Sequence, residues 1–174
     1  MKRIVRRERA IGTLCCAFTG HRPSKYPYLG QPESEPYALL RSRLEEAVIH
    51  LTEEGAAHFI SGGALGVDML AAELIVELRQ DNPLLTLEMA LPCPEQAARW
   101  RREDRLRHEL LCEEADVLTV ISEFYTPFCM YERNRFLAES CDILLAVYDG
   151  TPGGTRMTVG LAYDAGKRIE IIRP

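Results

Sequence analysis

The stretch HFISGGALGVDMLAAELIVEL, residues 58–78, joins a strand pattern to a helix pattern through small residues. Phe59 and Ile60 close an apolar strand, and Val67–Leu78 carries apolar residues at helical spacing. The turn between them holds Ser61, Gly62, Gly63 and Gly66. Amide hydrogens at a helix start attract anions, because the unpaired donors and the macrodipole point the same way. The turn therefore predicts a phosphate or carboxylate site, with a tight packing turn as the alternative.

Further apolar runs of strand length occur along the whole chain. They are Leu14–Phe18, Ala57–Ile60, Thr86–Leu91, Val117–Ile121, Ile143–Val147 and Ile169–Ile172. They are continuous rather than alternating, which is typical of strands covered on both faces. Helical patterns separate them, so the sequence predicts an α/β fold. We expect a three-layer, doubly wound, mostly parallel sheet (Rossmann-like) in a single domain.

Local signals mark several helix ends. Gly55 is expected to end the first helix, and Thr126, followed by proline, to cap a helix that reaches about Ser140. The last helix is predicted near Thr155–Ala165, with Gly166 as its stop.

The composition is that of one ordered domain. The 174 residues are 47% hydrophobic and 27% charged, and no apolar stretch is long enough to span a bilayer. Residues 1–12 form a basic segment that we expect to fray or lie on the surface, before a domain over 13–174. The first ten residues carry +4, which leaves −9 for the remainder of a chain of net charge −5. An acidic body argues against nucleic acid as a partner.

The cysteine pattern favours free thiols. Cys15, Cys16, Cys93, Cys112, Cys129 and Cys141 form no C-x-x-C pair and have no matching histidine spacing. We therefore expect a cytoplasmic protein with no metal site and no membrane attachment.

Polar residues follow the first two strands. Thr19 and Gly20 lead into His21 and Arg22, which offer donors at the carboxyl edge of the sheet, where ligands of such folds bind. Arg22 suits a phosphate, and a solvated or locally paired surface arginine is the alternative. In the second turn, Asp68 either complements the helix dipole or accepts from a sugar hydroxyl or an amine.

Gln96 and Trp100 follow the third apolar strand, four residues apart. On one helix face, an amide and an indole form a base-recognition pair through edge hydrogen bonds and stacking. A core tryptophan beside a capping glutamine is the alternative.

A second glycine-rich turn follows Ile143–Val147. Asp149 comes first, and Gly153, Gly154 and Thr155 then open the last helix. This turn is a second candidate for anion binding, so the predicted ligand is a nucleotide or sugar phosphate that contacts both turns.

Several segments occur in the order of a known family: FTGHRP, HFISGGALGVDMLAAE, the Gln96/Trp100 pair, TPFCMYERNRFLAESCD and AVYDGTPGGT. From about Thr13 to Ile172 the chain resembles the bacterial YpsA-like family of the SLOG superfamily, which also holds the DNA-processing protein DprA and the LOG phosphoribohydrolases. The resemblance implies a Rossmann-like fold with a pocket for a nucleotide or nucleotide derivative. It implies that the pocket is lined by Thr19, Gly20, Ser61, Gly62, Gly63, Gly66, Asp68, Gln96, Trp100, Arg133, Asn134, Gly153, Gly154 and Thr155.

LOG enzymes carry M-x-x-R-K and P-G-G-x-G-T-x-x-E, in which the arginine and the last glutamate serve catalysis. This chain supplies Arg133 but has Asn134 in place of the lysine, and Val159 stands at the glutamate position. An apolar side chain neither activates water nor stabilises an oxocarbenium-like centre. The sequence therefore argues against LOG-type hydrolysis.

Three functions are consistent with these patterns. The first is a sensing module that binds a nucleotide or nucleotide-sugar ligand without turning it over. The second is an enzyme that hydrolyses or transfers at the N-glycosidic bond, with Arg22 or Arg133 on the phosphate and Asp68, Glu132 or Glu139 on the sugar. The third is DprA-like handling of single-stranded DNA, which requires a steep salt dependence. A homodimer formed through outer helices is also expected.

Overall fold

Strands and helices alternate along the chain after the first strand. The computed structural model describes all residues, Met1–Pro174. The strands are β1 (Lys2–Val5), β2 (Leu14–Gly20), β3 (Ala56–Ser61), β4 (Thr86–Leu91), β5 (Val117–Val120), β6 (Ile143–Val147) and β7 (Arg168–Ile172). The helices are α1 (Glu35–Glu53), α2 (Val67–Leu78), α3 (Arg102–Glu114), α4 (Cys129–Ser140) and α5 (Gly154–Asp164). None of the helices is both long and apolar enough to cross a bilayer.

All seven strands form one sheet in the order β1-β5-β4-β3-β2-β6-β7. Every neighbouring pair is parallel except β1 with β5. Helices α1, α2 and α3 pack on one face and α4 and α5 on the other. The interior strand β2 places Cys16 opposite Phe59 of β3 and Ile143 of β6. The predicted three-layer, doubly wound α/β fold is confirmed.

The alternation of side chains along β2 divides the core into two layers. Cys16 and Phe18 belong to the larger cluster beneath α1, α2 and α3. Cys15 and Ala17 point the opposite way, into a smaller cluster with residues of α4 and α5. Both faces of the strand are buried, which is why its sequence is a continuous apolar run.

The predicted elements occur with small shifts at their ends. Gly55 and Gly166 follow α1 and α5 with φ angles of +104° and +67°, values that favour glycine. The predicted start of α4 is wrong: the Thr126 carbonyl accepts from the Cys129 amide in a turn, and Phe128 is the N-cap. The helix then starts at Cys129, and no side chain caps it.

The basic N-terminal segment lies on the surface, as one of the two alternatives for residues 1–12 expected, but it is held by ion pairs and a strand rather than frayed. Arg3 pairs with the buried carboxylate of Glu88 at 3.0 Å. The Arg6 Nη1 donates to the carbonyls of Cys112 and Ala115 at the end of α3, at 2.8 and 2.6 Å. Arg7 donates to Asp116 at 2.8 Å. These three side chains therefore bind acceptors of the same chain. The segment that begins with β1, which pairs antiparallel with β5, places them beside the end of α3 and the start of β5.

Candidate functional site

A cleft of about 380 Å³ opens at the carboxyl ends of β2 and β6. These strands are neighbours, yet the loop after β2 leads to a helix on one face and the loop after β6 to a helix on the other. Ligands of open α/β sheets bind at such switch points. Sequence-predicted residues that line the cleft are Thr19, Gly20, His21, Arg22, Asp68, Arg133, Asn134, Gly153, Gly154 and Thr155. Its other lining residues are Ser24, Lys25, Ala64, Leu137 and Pro152.

The base of the cleft holds a buried ion pair between α4 and α2. The Arg133 Nη1 lies 3.1 Å from the Asp68 Oδ2, and the two side chains are 5% and 7% exposed. Burial raises the pKa of Asp68, against the opposing charge of Arg133, and burial also lowers the pKa of Arg133. The Arg133 Nε is buried without a hydrogen-bond partner. Because Arg133 lines the cleft, a small shift of its side chain would let an anionic or acceptor ligand satisfy this buried donor.

Asp149 ties together the loops that follow β2 and β6. It accepts from the His21 Nε2 at 2.9 Å, from the Tyr26 hydroxyl at 2.5 Å and from Thr151, and it pairs with the Lys25 Nζ at 3.0 Å. Asp149 itself does not line the cleft. Its position indicates that it orders the rim; direct contact with a ligand stays a prediction.

Arg22 is the cation of the cleft that remains unpaired. It is exposed and has neither an ion pair nor a side-chain hydrogen bond, whereas Lys25 is neutralised by Asp149 and Arg133 by Asp68. Burial, assisted by the charge of Lys25, lowers the pKa of His21, which favours a neutral ring. The electrostatic balance of the site therefore leaves one free positive charge for a ligand.

The second glycine-rich turn opens directly into the cleft. Gly153, at φ +145°, is the N-cap of α5, and no side chain caps that helix. Gly154 and Thr155, in the first turn, line the cleft beside Asn134. Amides at an uncapped helix start favour a negatively charged group, and this is the anion-binding geometry predicted for the turn.

The first glycine-rich turn lies behind the cleft wall. Ser61, Gly62, Gly63 and Gly66 do not line the cleft, although Ala64 and Asp68 of the same segment do. The Ser61 Oγ donates to the Asp68 carbonyl at 2.7 Å. Gly66 has φ +97°, and a Cβ there would lie 2.6 Å from the His21 carbonyl oxygen. These contacts match the packing alternative, and direct ligand contact by the four residues stays a prediction.

Gln96 and Trp100 lie apart from the cleft and do not share a helix, which corrects the sequence prediction. Successive turns connect residues 94–99, with hydrogen bonds from Ala98 to Glu95 and from Trp100 to Ala97. These hydrogen bonds join residues three apart, as in tight turns, rather than four apart as in an α-helix. Helix α3 begins only at Arg102. Both Gln96 and Trp100 line a second cavity of about 440 Å³. Trp100 also packs against the larger core, as the alternative interpretation expected.

Of the acidic residues considered for glycosidic chemistry, Asp68 is the one that lines the cleft. Glu132 and Glu139 are exposed on α4 and do not line it. Val159 packs against the smaller core. A carboxylate at that position of α5 would lie in apolar surroundings.

Lys25 and Ser24 are lining residues that the sequence interpretation missed. They follow the Thr19–Pro23 turn. The position of a basic residue so close to a predicted strand end could have identified Lys25 as a lining residue. Ala64 and Leu137 line the cleft with apolar groups. Their type carries no functional signal, so only the tertiary structure reveals that they line the cleft.

The chain matches a family model and several curated relatives. The model of YpsA, described as the YspA SLOG family, matches residues 16–166. UPF0398 protein BH1768 of Halalkalibacterium halodurans is 30% identical over 118 residues, which cover 67% of this chain and 62% of that relative. A UPF0398 protein of Bacillus cereus strain ATCC 14579 is 29% identical over 154 residues, 87% of this chain and 83% of the relative.

Two solved structures share the fold. DNA processing protein A from Helicobacter pylori, described for its single-stranded DNA binding mode, aligns with a TM-score of 0.61 at 20% identity. The alignment covers 92% of this chain and 66% of that one. DprA from Streptococcus pneumoniae aligns with a TM-score of 0.62 at 18% identity, over 93% of this chain and 51% of its own. The chain thus spans less than two thirds of these two proteins and of the H. halodurans relative. Because the family model covers most of its length, the protein belongs to the YpsA family of SLOG proteins.

Proposed function

We propose that the cleft binds the phosphate of a nucleotide or nucleotide derivative, and that the protein is a ligand-sensing module without LOG-type catalysis. The observation that carries the proposal is the Arg133 guanidinium, since Arg133 lines a polar cleft and its buried Nε has no hydrogen-bond partner. An unpaired buried donor costs free energy that a ligand acceptor would recover. A cytoplasmic location and pairing of two copies through outer helices are parts of the same proposal.

Two further features support an anionic ligand. Arg22 is unpaired at the rim, and α5 starts at the cleft without a side-chain cap. A guanidinium and helix-start amides together suit a phosphate, which accepts several hydrogen bonds at once. The absence of a carboxylate at Val159 supports binding without LOG-type turnover.

The test is calorimetric titration of the full chain with ribose phosphate and with nucleotides, followed by analysis of the recovered ligand. Binding without breakdown is expected. Arg22→Gln is expected to weaken binding about tenfold or more, since a charge-assisted bond contributes roughly 1.5–3 kcal/mol. Arg135→Gln is the matched control, because Arg135 is an exposed arginine of α4 that does not line the cleft. Failure of every phosphate-bearing compound to bind would contradict the proposal.

An N-glycosidic hydrolase or transferase is the second candidate, and Asp68 is the residue that favours it. This carboxyl is buried in the cleft wall, and burial raises its pKa, as a general acid requires. Release of free base from a nucleoside phosphate, lost in Asp68→Asn, would establish this activity. Recovery of the intact nucleotide would contradict it.

Handling of single-stranded DNA is the third candidate, and it rests on the fold shared with the H. pylori protein. The net charge of −5 argues against a site that neutralises many phosphates. Oligonucleotide affinity that falls steeply with salt would favour this function over a mononucleotide site.

A further inference from the structure

The second cavity lies at the same edge of the sheet as the cleft, on the other side of β3. Gln96 and Trp100, which follow β4, form part of its wall. Tyr125, which follows β5, and Met130 of α4 also line it. Since the cleft lies at the ends of β2 and β6, the end of β3 separates the two sites.

Gln96 has a hydrogen-bonded amide nitrogen and an unused acceptor. Its Nε2 donates to the Gly62 carbonyl at 3.1 Å, so the amide nitrogen is engaged and the Oε1 is left to accept. That Oε1 is buried and has no hydrogen-bond partner. A buried acceptor without a donor is costly, and a ligand that brings an N–H group would satisfy it after a small turn of the amide.

Two aromatic rings bound the same cavity. Trp100 is held in place by His108, whose ring meets it edge-on at 5.3 Å between centroids. Tyr125 is 65% exposed and lines the same cavity, so its ring is accessible to a ligand. Flat aromatic faces stack on nucleobases of every type, so these rings suit a planar heterocycle.

The nearest edges of the two sites are within the length of one nucleotide. Gly62 lies between them, because its carbonyl binds Gln96 while its α-carbon lies against Arg133. Adjacent strands are about 4.8 Å apart, so the ends of β2 and β4 are about 10 Å apart. That separation is comparable with the length of an extended nucleotide from its phosphate to the edge of its base.

We infer that the second cavity binds the base of the nucleotide whose phosphate occupies the cleft, and that Gln96 selects a base with an exocyclic amine. The inference rests on the proposed function. It assigns Tyr125 as a stacking residue and Gln96 as the residue that determines base specificity.

Titration calorimetry of the full chain tests base selection with ribose phosphate and three matched pairs of nucleotides. The pairs are AMP with purine riboside monophosphate, GMP with IMP, and CMP with UMP. At least one amine-bearing member is expected to bind about five- to tenfold more tightly than its partner, as one added hydrogen bond allows. Gln96→Leu is expected to abolish that ratio while the affinity for ribose phosphate stays unchanged.

Tyr125→Ala keeps the test decisive if Gln96→Leu does not fold, because an exposed ring can be removed without opening the core. It is expected to weaken nucleotide binding about tenfold and to leave ribose phosphate binding unchanged. Phe128→Ala is the matched control, since Phe128 is 69% exposed and lines neither site.

The outcomes separate this inference from the proposed function. If ribose phosphate binds and no nucleotide binds more tightly, the base site is overturned and the phosphate site stands. If neither ribose phosphate nor any nucleotide binds, both are overturned. If Tyr125→Ala changes the oligomeric mass and leaves nucleotide affinity unaltered, the ring belongs to an interface between two copies of the chain. The base site would again be overturned.

Discussion

Arg133 occupies the space that a side chain at Gly62 would need: a Cβ added to Gly62 would lie 1.5 Å from the Arg133 Nη1. The same Nη1 pairs with Asp68 at 3.1 Å. The absence of a side chain at residue 62 therefore lets a buried guanidinium reach across from α4 to α2. The glycine of the first turn serves the cleft indirectly, by admitting the cation that lines it.

Gly62→Ala is expected to displace Arg133 from Asp68 and to lower the free energy of unfolding by about 3 kcal/mol, the usual cost of breaking a buried ion pair. Urea denaturation measures the loss. Gly160→Ala is the control, because no atom lies within 4 Å of a Cβ at that position of α5. The control is expected to raise stability by about 0.5–1 kcal/mol through helix propensity. Equal effects of the two substitutions would contradict the role given to Gly62.

His108 is expected to make stability fall at acid pH. Burial lowers its pKa below the ordinary value of 6.5, and its Nε2 is buried without a partner. Below that value the unfolded chain takes up a proton that the folded chain does not, so the free energy of unfolding decreases as the pH falls. His108→Leu is expected to lose less stability than the wild type between about pH 8 and about pH 5. Denaturant titrations at several pH values test this, with His50→Gln at an exposed position as the control.

Arg7 is expected to anchor the N-terminal segment. It donates to Asp116 at 2.8 Å and to the carbonyls of Pro83 and Leu85. Arg7→Ala is expected to cost about 1 kcal/mol, since the side chain is 40% exposed and solvent screens part of the interaction. Arg9→Ala is the control, because Arg9 is exposed and has no ion pair. A frayed segment would instead give two variants of equal stability in thermal or urea unfolding.

Val159→Glu would restore the LOG glutamate and is expected to destabilise the protein without creating hydrolase activity. The new carboxylate would be placed against the smaller apolar core, at a cost of about 2 kcal/mol or more. Tyr163→Glu lies one turn later on α5 at a position 77% exposed and is expected to be nearly neutral. Base release by Val159→Glu would show that the missing carboxylate alone prevents LOG-type chemistry.

Much of the fold could be predicted because strands buried on both faces require continuous apolar runs. Thr86–Leu91 and Ile143–Val147 have the predicted bounds, as does the helix Val67–Leu78. The start of α4 could not be predicted, because the local signal of Thr126 and Pro127 was used in a turn before the helix. The ion pairs that hold the basic N-terminal segment on the surface could not be predicted either, since its partners Glu88 and Asp116 are distant in sequence.

The candidate site, like the fold, was predictable only in part. The loops that form the cleft could be predicted, because parallel strands bring their carboxyl ends to one edge and the turns there were chemically distinctive. The sequence could not predict which of the two glycine-rich turns opens into the cleft. The first glycine-rich turn is packed against Arg133 and the loop after β2, whereas the second is open. A glycine is found both where the backbone must admit a ligand and where it must admit a neighbouring side chain, so the sequence does not distinguish the two cases.

The sequence by itself determined the α/β class, the order of the elements and the family, because these depend on periodicity and on motifs that are local in the chain. The tertiary structure alone decided that Arg133 pairs with Asp68, that Asp149 joins two loops and that Gln96 faces a separate cavity. Those relationships join residues that are far apart in sequence. They arise only when helices from both faces of the sheet pack around its edge, and no local pattern encodes the resulting distances.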